Sequence, residues 1–149
     1  MRGLDKFQIK GRLELRLFGP DGKLKDYRDI RNTVTALGDA HVADQMSDDS
    51  EVNMSHMAIG TGTPTATALQ TELDRNAFTS KTQGAGADDN DVVYVGNWAA
   101  GDGTGAITEA GIFNAAAAGT MFVSASFAVI NKGASDTLQI TWTVTFGSS

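Results

Sequence analysis

Cysteine is absent from this chain of 149 residues, and only two histidines, His41 and His56, are present. The missing thiols exclude disulfide bridges, thiolate metal sites and a cysteine nucleophile. Two histidines do not make a metal site without carboxylates at a fixed spacing. We therefore interpret both as ordinary surface or core residues.

Long apolar runs are also missing. No stretch reaches the roughly 18 consecutive apolar residues of a membrane-spanning helix. The opening sequence, MRGLDKFQIK, lacks the apolar core of a signal peptide. We therefore expect no membrane contact and no export route, and we expect assembly in the reducing cytoplasm of the cell that makes the protein.

Positive charge is scarce, with 12 Lys and Arg residues against 18 Asp and Glu residues and a net charge of −6. This balance argues against general nucleic-acid binding, which needs clustered basic residues. The charge is nevertheless uneven. Residues 1–31 contain nine basic and five acidic residues, a net charge of +4, and the remaining chain has a net charge of −10. The asymmetry predicts that residues 1–31 dock on an acidic surface; the alternative is a two-stranded ribbon with a charged solvent face.

The pattern of apolar residues predicts strands along most of the chain. FQIKGRLELRLF alternates apolar and polar residues, GPDG is typical of a turn, and Lys23 to Arg31 would return as a hairpin. Further strands are predicted within 54–62 (ending at Gly60 or Gly62), 78–82, 92–98, 106–114, 120–130 and 137–146. Trp142 would face the core in the last of these.

Helical structure is predicted at two places. A helix capped by Asn32, Thr33 or Thr35 would run to about Met46. A helical turn or two would follow the loop at 63–68, with Leu69 and Leu73 on one face. We therefore expect one domain over residues 1–149, an antiparallel β-sandwich or jelly roll with an N-terminal β-hairpin and one or two short helices.

Catalytic motifs are weak. The stretches GTGTP and GDGTG lack the Lys-Ser/Thr pair of a phosphate-binding loop. The acidic stretch 88–91 lacks the glycine and the final glutamate of a calcium loop. No serine lies in a nucleophile elbow, and no carboxylate pair is favoured for glycoside cleavage. We expect no enzymatic activity, no cofactor and no bound metal.

Glu109 stands out as one carboxylate among small and apolar residues in the stretch TEAGIFNAAAAGTMF. It could be a general acid, a metal ligand or a structural brace. A buried carboxylate needs a partner, because an unpaired buried charge is very costly. A brace would accept backbone N–H groups from a neighbouring turn or pair with a basic side chain.

The chain resembles tailed-bacteriophage virion proteins over most of its length. The resemblance rests on EAGIFN, on GTMFVSASFAVINKGASDTLQITWTVTF, on MAIGTGTPTATALQTELDR and on the opening KGRLELRLFGPDGKLKDYRDIRNTVTALG. Within it, Glu109 is a brace rather than a catalyst, and Arg75 is its expected partner. Gly111 would let the strand bulge or let another backbone approach closely.

The resemblance implies a head decoration, or cement, protein on the outer surface of the virion head. The major capsid protein would be its partner, and the protein would be a homotrimer. We expect Lys6, Lys10, Arg12 and Arg16 to contact the capsid or a neighbouring subunit. Two alternatives remain open: a tail, baseplate or fibre-attachment component, and a carbohydrate-binding module in which Trp98 would stack on a cell-surface glycan.

Overall fold

The computed structural model describes residues 7–148, which form two antiparallel five-stranded sheets packed as a sandwich, with one α-helix. The strands are β1 Phe7–Phe18, β2 Leu24–Arg31, β3 Thr33–Val34, β4 His56–Gly60, β5 Glu72–Ala77, β6 Ser80–Gln83, β7 Asp91–Trp98, β8 Gly105–Phe113, β9 Met121–Lys132 and β10 Thr137–Ser148. Helix α1 spans Ala36–Ser47, and a 3₁₀ turn spans Gly86–Asp88. The predicted antiparallel β-sandwich is confirmed, whereas the jelly-roll arrangement and the single domain over 1–149 stay predictions.

The chain alternates between the two sheets. The first sheet has the strand order β2-β1-β10-β7-β6, and the second has the order β3-β9-β8-β4-β5. Hairpins join β1 to β2, β4 to β5, β6 to β7 and β8 to β9. Helix α1 connects β3 to β4 within the second sheet, and the other connections cross from one sheet to the other. The predicted N-terminal hairpin is therefore the edge of the first sheet.

The core lies between the sheets and follows the predicted alternation of β1 and β10. Leu13 of β1 lies opposite Trp142 of β10, and Leu15 lies opposite Ile140. All four side chains are fully buried. The second sheet contributes buried apolar side chains from β4, β8 and β9, namely Met57, Ile59, Ile107, Ile112 and Val123. The apolar faces of the two sheets pack against each other, so the inward side chains of the central strands are shielded from water.

Helix α1 begins at one of the predicted caps. Thr35 accepts a hydrogen bond from the backbone N–H of Gly38 through its hydroxyl, at 2.8 Å, and so satisfies a free donor of the first turn. The same hydroxyl lies 2.6 Å from the carbonyl oxygen of Met121, to which it donates. Gly38 and His41 are the buried residues of the helix. Thr35 thus both starts the helix and ties it to β9.

The predicted helical turn after residue 68 is wrong. Residues 72–77 form β5, which pairs with β4 at the edge of the second sheet. Leu69 is buried in a small separate cluster with Phe113 and Met121, while Leu73 is 40% exposed. The spacing of the two leucines therefore did not mark one face of a helix. Hydrogen bonding to β4 decided the conformation instead. The strand predicted at 78–82 begins two residues later, as β6.

Candidate docking site

Three cations gather on the outer face of the first sheet, where β1 and β2 lie side by side. Arg12 and Arg31 are directly opposite each other in the β1–β2 register, and Lys10 lies two residues before Arg12 on the same face of β1. All three are exposed. They line a depression of about 280 Å³ together with Asp91 and two threonines of β10. We call Lys10, Arg12 and Arg31 the basic depression.

The basic depression keeps a surplus of positive charge. Among residues 7–147, Lys10 and Arg31 form no ion pair. Arg12 donates from Nε to Asp29 Oδ1 at 2.8 Å, and this hydrogen bond raises the pKa of Arg12. Its Nη2 also lies 3.6 Å from the carboxylate of Glu14, so part of its charge is offset. Asp91, the acidic residue of the lining, accepts a hydrogen bond of 2.6 Å from the Thr145 hydroxyl. Like charges directly opposite each other weaken strand pairing, so an acidic group bound here would relieve the repulsion between the two arginines.

The other predicted contact residues differ in position and pairing. Arg16 faces the same side as Lys10 and Arg12, but it pairs with Glu14 at 3.1 Å and lies 5.1 Å from the centre of the Tyr27 ring. The Tyr27 hydroxyl donates to Glu14 and lowers the pKa of that carboxyl, with the neighbouring arginines acting in the same direction. Arg16 therefore sits at the rim of the site with much of its charge offset. Lys6 lies outside the described residues.

Two further cations of the first hairpin serve the fold. Lys25 donates to both carboxylate oxygens of Asp136, at 2.9 and 3.1 Å. Arg28 pairs with Asp26 and donates to two carbonyl oxygens of β9, at Ala128 and Val129. These contacts join the β2 edge to the β9–β10 connection and to the second sheet. Not every cation of the basic N-terminal segment is therefore available to a partner.

Arg31 is the residue that the sequence did not single out. It was one of nine basic residues, and nothing in its immediate neighbourhood distinguished it. The hairpin register supplies the missing signal, because it places Arg31 opposite Arg12. That register depends on the irregularity between Leu17 and Phe18, which could not be read from the alternation of β1 alone.

Glu109 is a structural brace, held by backbone donors. Its side chain is fully buried, and Oε2 accepts the N–H groups of Gly62 at 2.9 Å and Thr71 at 2.8 Å. Oε1 accepts the N–H of Gln70 at 2.9 Å. Through these hydrogen bonds, one carboxylate holds together the two ends of the loop between β4 and β5. A Cβ at Gly60 would collide with this carboxylate, so glycine is required there for the close approach.

The predicted contact between Glu109 and Arg75 is wrong. Arg75 pairs with Glu72 and donates from Nη1 to the carbonyl oxygens of Ala115 at 3.0 Å and Ala118 at 2.8 Å. Its guanidinium carbon lies 3.7 Å from the centre of the Phe113 ring. Arg75 therefore closes the turn between β8 and β9, a second brace that is separate from the first. The error arose because three backbone N–H groups satisfy Glu109, and the loop sequence does not reveal where they point.

Gly111 has a packing role. It keeps the regular register of β8, opposite Ala58 and Ser124, so the strand does not bulge at this residue. A Cβ here would lie 3.1 Å from the Met121 sulfur and 3.1 Å from the Phe113 ring. The glycine therefore makes room for neighbouring side chains, where we expected a bulge or a close backbone.

The sugar platform of the carbohydrate-binding alternative is not accessible. Trp98 has no exposed surface and packs in the main core, so its ring cannot stack on a glycan. Within residues 7–148, no cluster of three or more His, Asp or Glu side chains has the arrangement of a metal site. The same part of the chain contains no helix long and apolar enough to span a bilayer.

No protein-family model, curated protein or solved structure matches the chain. A functional conclusion therefore depends on the resemblance in the sequence and on the geometry of the basic depression.

Proposed function

We propose that the protein is a bacteriophage head decoration, or cement, protein that binds the outside of the capsid and bridges capsid subunits in the expanded shell. The observation that carries the proposal is the basic depression on the outer face of a β-sandwich whose remaining surface is acidic. The virion-protein motifs in the sequence supply the biological setting. In this account the major capsid protein is the partner, the head surface is the location, and the chain is not an enzyme.

The basic depression would receive an acidic side chain of the partner. Arginine binds carboxylates through two parallel hydrogen bonds, and two arginines on adjacent strands can hold one carboxylate from both sides. Lys10 adds a third positive charge two residues away on β1. An acidic patch on the capsid fits this arrangement. In a homotrimer, the acidic body of a neighbouring copy offers the same chemistry.

Stabilisation of the shell follows from mass action. A protein that binds the expanded shell but not the separated subunits adds RT ln(1 + [L]/Kd) per site, about 2.7 kcal/mol at a free concentration of 100 Kd. Each bridging copy also buries surface across a joint between subunits. Stabilisation by this route needs no chemical step.

The test is charge reversal within the basic depression. The variant K10E/R12E/R31E should lose binding to expanded heads, and the salt dependence of any remaining binding should flatten. The single variants K10E and K23E change the net charge equally. Lys23 lies in the turn between β1 and β2, outside the basic depression. Only K10E should weaken binding.

Circular dichroism and unfolding midpoints of each variant show whether the fold is intact. Unchanged binding by a folded triple variant would contradict the docking assignment. Binding of the natural protein to purified tails rather than heads would move it to the tail, baseplate or fibre-attachment class.

A further inference from the structure

An apolar pocket of about 670 Å³ opens at the end of the sandwich where β1 begins and β10 ends. Helix α1 forms one wall, β6 and β7 form another, and the start of β9 closes the back. The apolar lining includes Met54, from the loop before β4, and five side chains of the helix and strands: Val42, Val92, Tyr94, Phe122 and Phe146. The pocket and the basic depression share no lining residue.

The side chains of residues 7–147 do not fill this space. The inward face of α1 carries Gly38, His41, Val42 and Gln45, of which only Val42 is a large apolar residue. Helix α1 is therefore held to β9 by Thr35 and by the close contact at Gly38, rather than by a full row of apolar residues. Protein interiors are normally close-packed. A large apolar space beside an under-packed helix is the form that ligand pockets take.

The side chains that form the walls of the pocket pack on one another and on the core. Phe122 and Phe146 stack across the two sheets, with ring centres 6.1 Å apart and planes 5° from parallel. Tyr94 packs on Phe78 with ring centres 4.9 Å apart. Burial raises the pKa of Tyr94 to about 12, so its hydroxyl stays protonated and can donate a hydrogen bond. A preformed pocket lowers the entropic cost of binding.

The ammonium group of Lys81 favours an anionic head on the ligand, and His41 adds a buried polar nitrogen to the lining. Lys81 is exposed at the rim and donates one hydrogen bond, of 2.9 Å, to the carbonyl oxygen of Met54. It forms no ion pair with the residues from 7 to 147. His41 is 5% exposed and its Nδ1 has no hydrogen-bond partner; the nearest acidic oxygen, of Glu51, is 4.0 Å away. A buried polar atom without a partner is unusual in a folded protein.

We propose that this pocket binds a monomeric amphiphile with an aliphatic tail and one carboxylate head, with the tail between α1 and β7 and the head at Lys81. The volume lies within the range of roughly 300–1,000 Å³ that is typical of ligand pockets. The apolar walls match the tail, and the unpaired ammonium group matches the carboxylate. This ligand site is independent of capsid docking.

The probe is decanoate below its micelle concentration, titrated into the full chain by calorimetry, with decanol as the neutral analogue. The variant K81M should weaken decanoate binding about tenfold, because a charge-assisted hydrogen bond is lost, and should leave decanol binding unchanged. The matched control K23M removes an exposed lysine outside the pocket and should change neither. Equal weakening of both probes by K81M, or no saturable decanoate binding, would overturn the proposal.

Methionine methyl resonances locate the site without any variant. Met46 and Met54 line the pocket, whereas Met121 packs with Leu69 and Phe113 in a separate cluster. Decanoate should shift the signals of Met46 and Met54 far more than that of Met121; the reverse pattern would contradict the site. Vesicles of phosphatidylglycerol test whether a lipid in a membrane, rather than a free amphiphile, supplies the anionic head and the aliphatic tail. Vesicle binding without decanoate binding would show a membrane surface contact and overturn a monomer site.

Discussion

Replacement of Glu109 by glutamine should destabilise the fold strongly, although the two side chains have nearly the same shape. The carboxylate accepts three backbone N–H groups with two oxygens, and it is fully buried. Glutamine keeps one acceptor oxygen and places an NH₂ donor against N–H donors. One or two of the three hydrogen bonds are then lost. Each hydrogen bond to a charged group contributes about 1.5–3 kcal/mol, so E109Q should lower the free energy of unfolding by roughly 2–5 kcal/mol.

Urea denaturation followed by tryptophan fluorescence measures this loss, because Trp98 and Trp142 are both buried in the core. For a chain of this size the midpoint of thermal unfolding should fall by roughly 5–15 °C. Hydrogen exchange adds a local readout: the amides of Gly62, Gln70 and Thr71 should lose protection first.

The control is D88N, which changes an exposed aspartate of the 3₁₀ turn that forms no ion pair with residues 7–147. Surface substitutions of this kind change stability little, so D88N should cost at most about 0.5 kcal/mol. An E109Q variant within 1 kcal/mol of the natural protein, with the three amides still protected, would refute the assignment of Glu109 as a brace.

Two further substitutions test the remaining braces. R75M removes the guanidinium that caps the turn between β8 and β9 and lies on the Phe113 ring, so the free energy of unfolding should fall by roughly 1–3 kcal/mol. R75K should recover only part of this stability, because lysine lacks the planar guanidinium. Full recovery by R75K would contradict the role assigned to the guanidinium geometry. The hydrogen bond from Lys25, assisted by the N–H of Gly133, lowers the pKa of Asp136 below its ordinary value. The ionised Asp136 therefore stabilises the fold fully at a pH above the ordinary aspartate pKa, and this stabilisation is lost as the pH falls through the lowered pKa of the folded protein. D136N should therefore be less stable than the natural protein at pH 7, and the difference should shrink near pH 3 in unfolding measurements; a constant difference would refute the linkage.

The strands were largely predictable because burial on one face imposes a period of two. Over residues 137–146 of β10, apolar residues alternate completely with polar ones, and the structure follows that alternation. The cap at Thr35 was also predictable as one of three candidates, because a threonine hydroxyl at this position can accept the backbone N–H three residues later in the first turn of α1. Local patterns of this kind carry their own structural signal.

The errors share one physical cause, which is dependence on distant pairing. Leu69 and Leu73 have helical spacing, yet the hydrogen bonds that β4 offers draw the following residues into β5. The charge of Glu109 needed compensation, but the donors are backbone groups of a loop whose path is set by Gly60 and β4. Charge counting located the basic segment without separating Lys10 and Arg31, which form no ion pair with residues 7–147, from the cations that are already paired.

The most direct test of the proposed function is co-sedimentation of the purified protein with expanded heads, assembled from the major capsid protein of the phage that would encode it under that proposal. The account predicts saturable binding to expanded heads, weakened by salt and by K10E/R12E/R31E, and no binding to separated capsid subunits. Absence of binding to expanded heads, under conditions where the protein is folded, would contradict it.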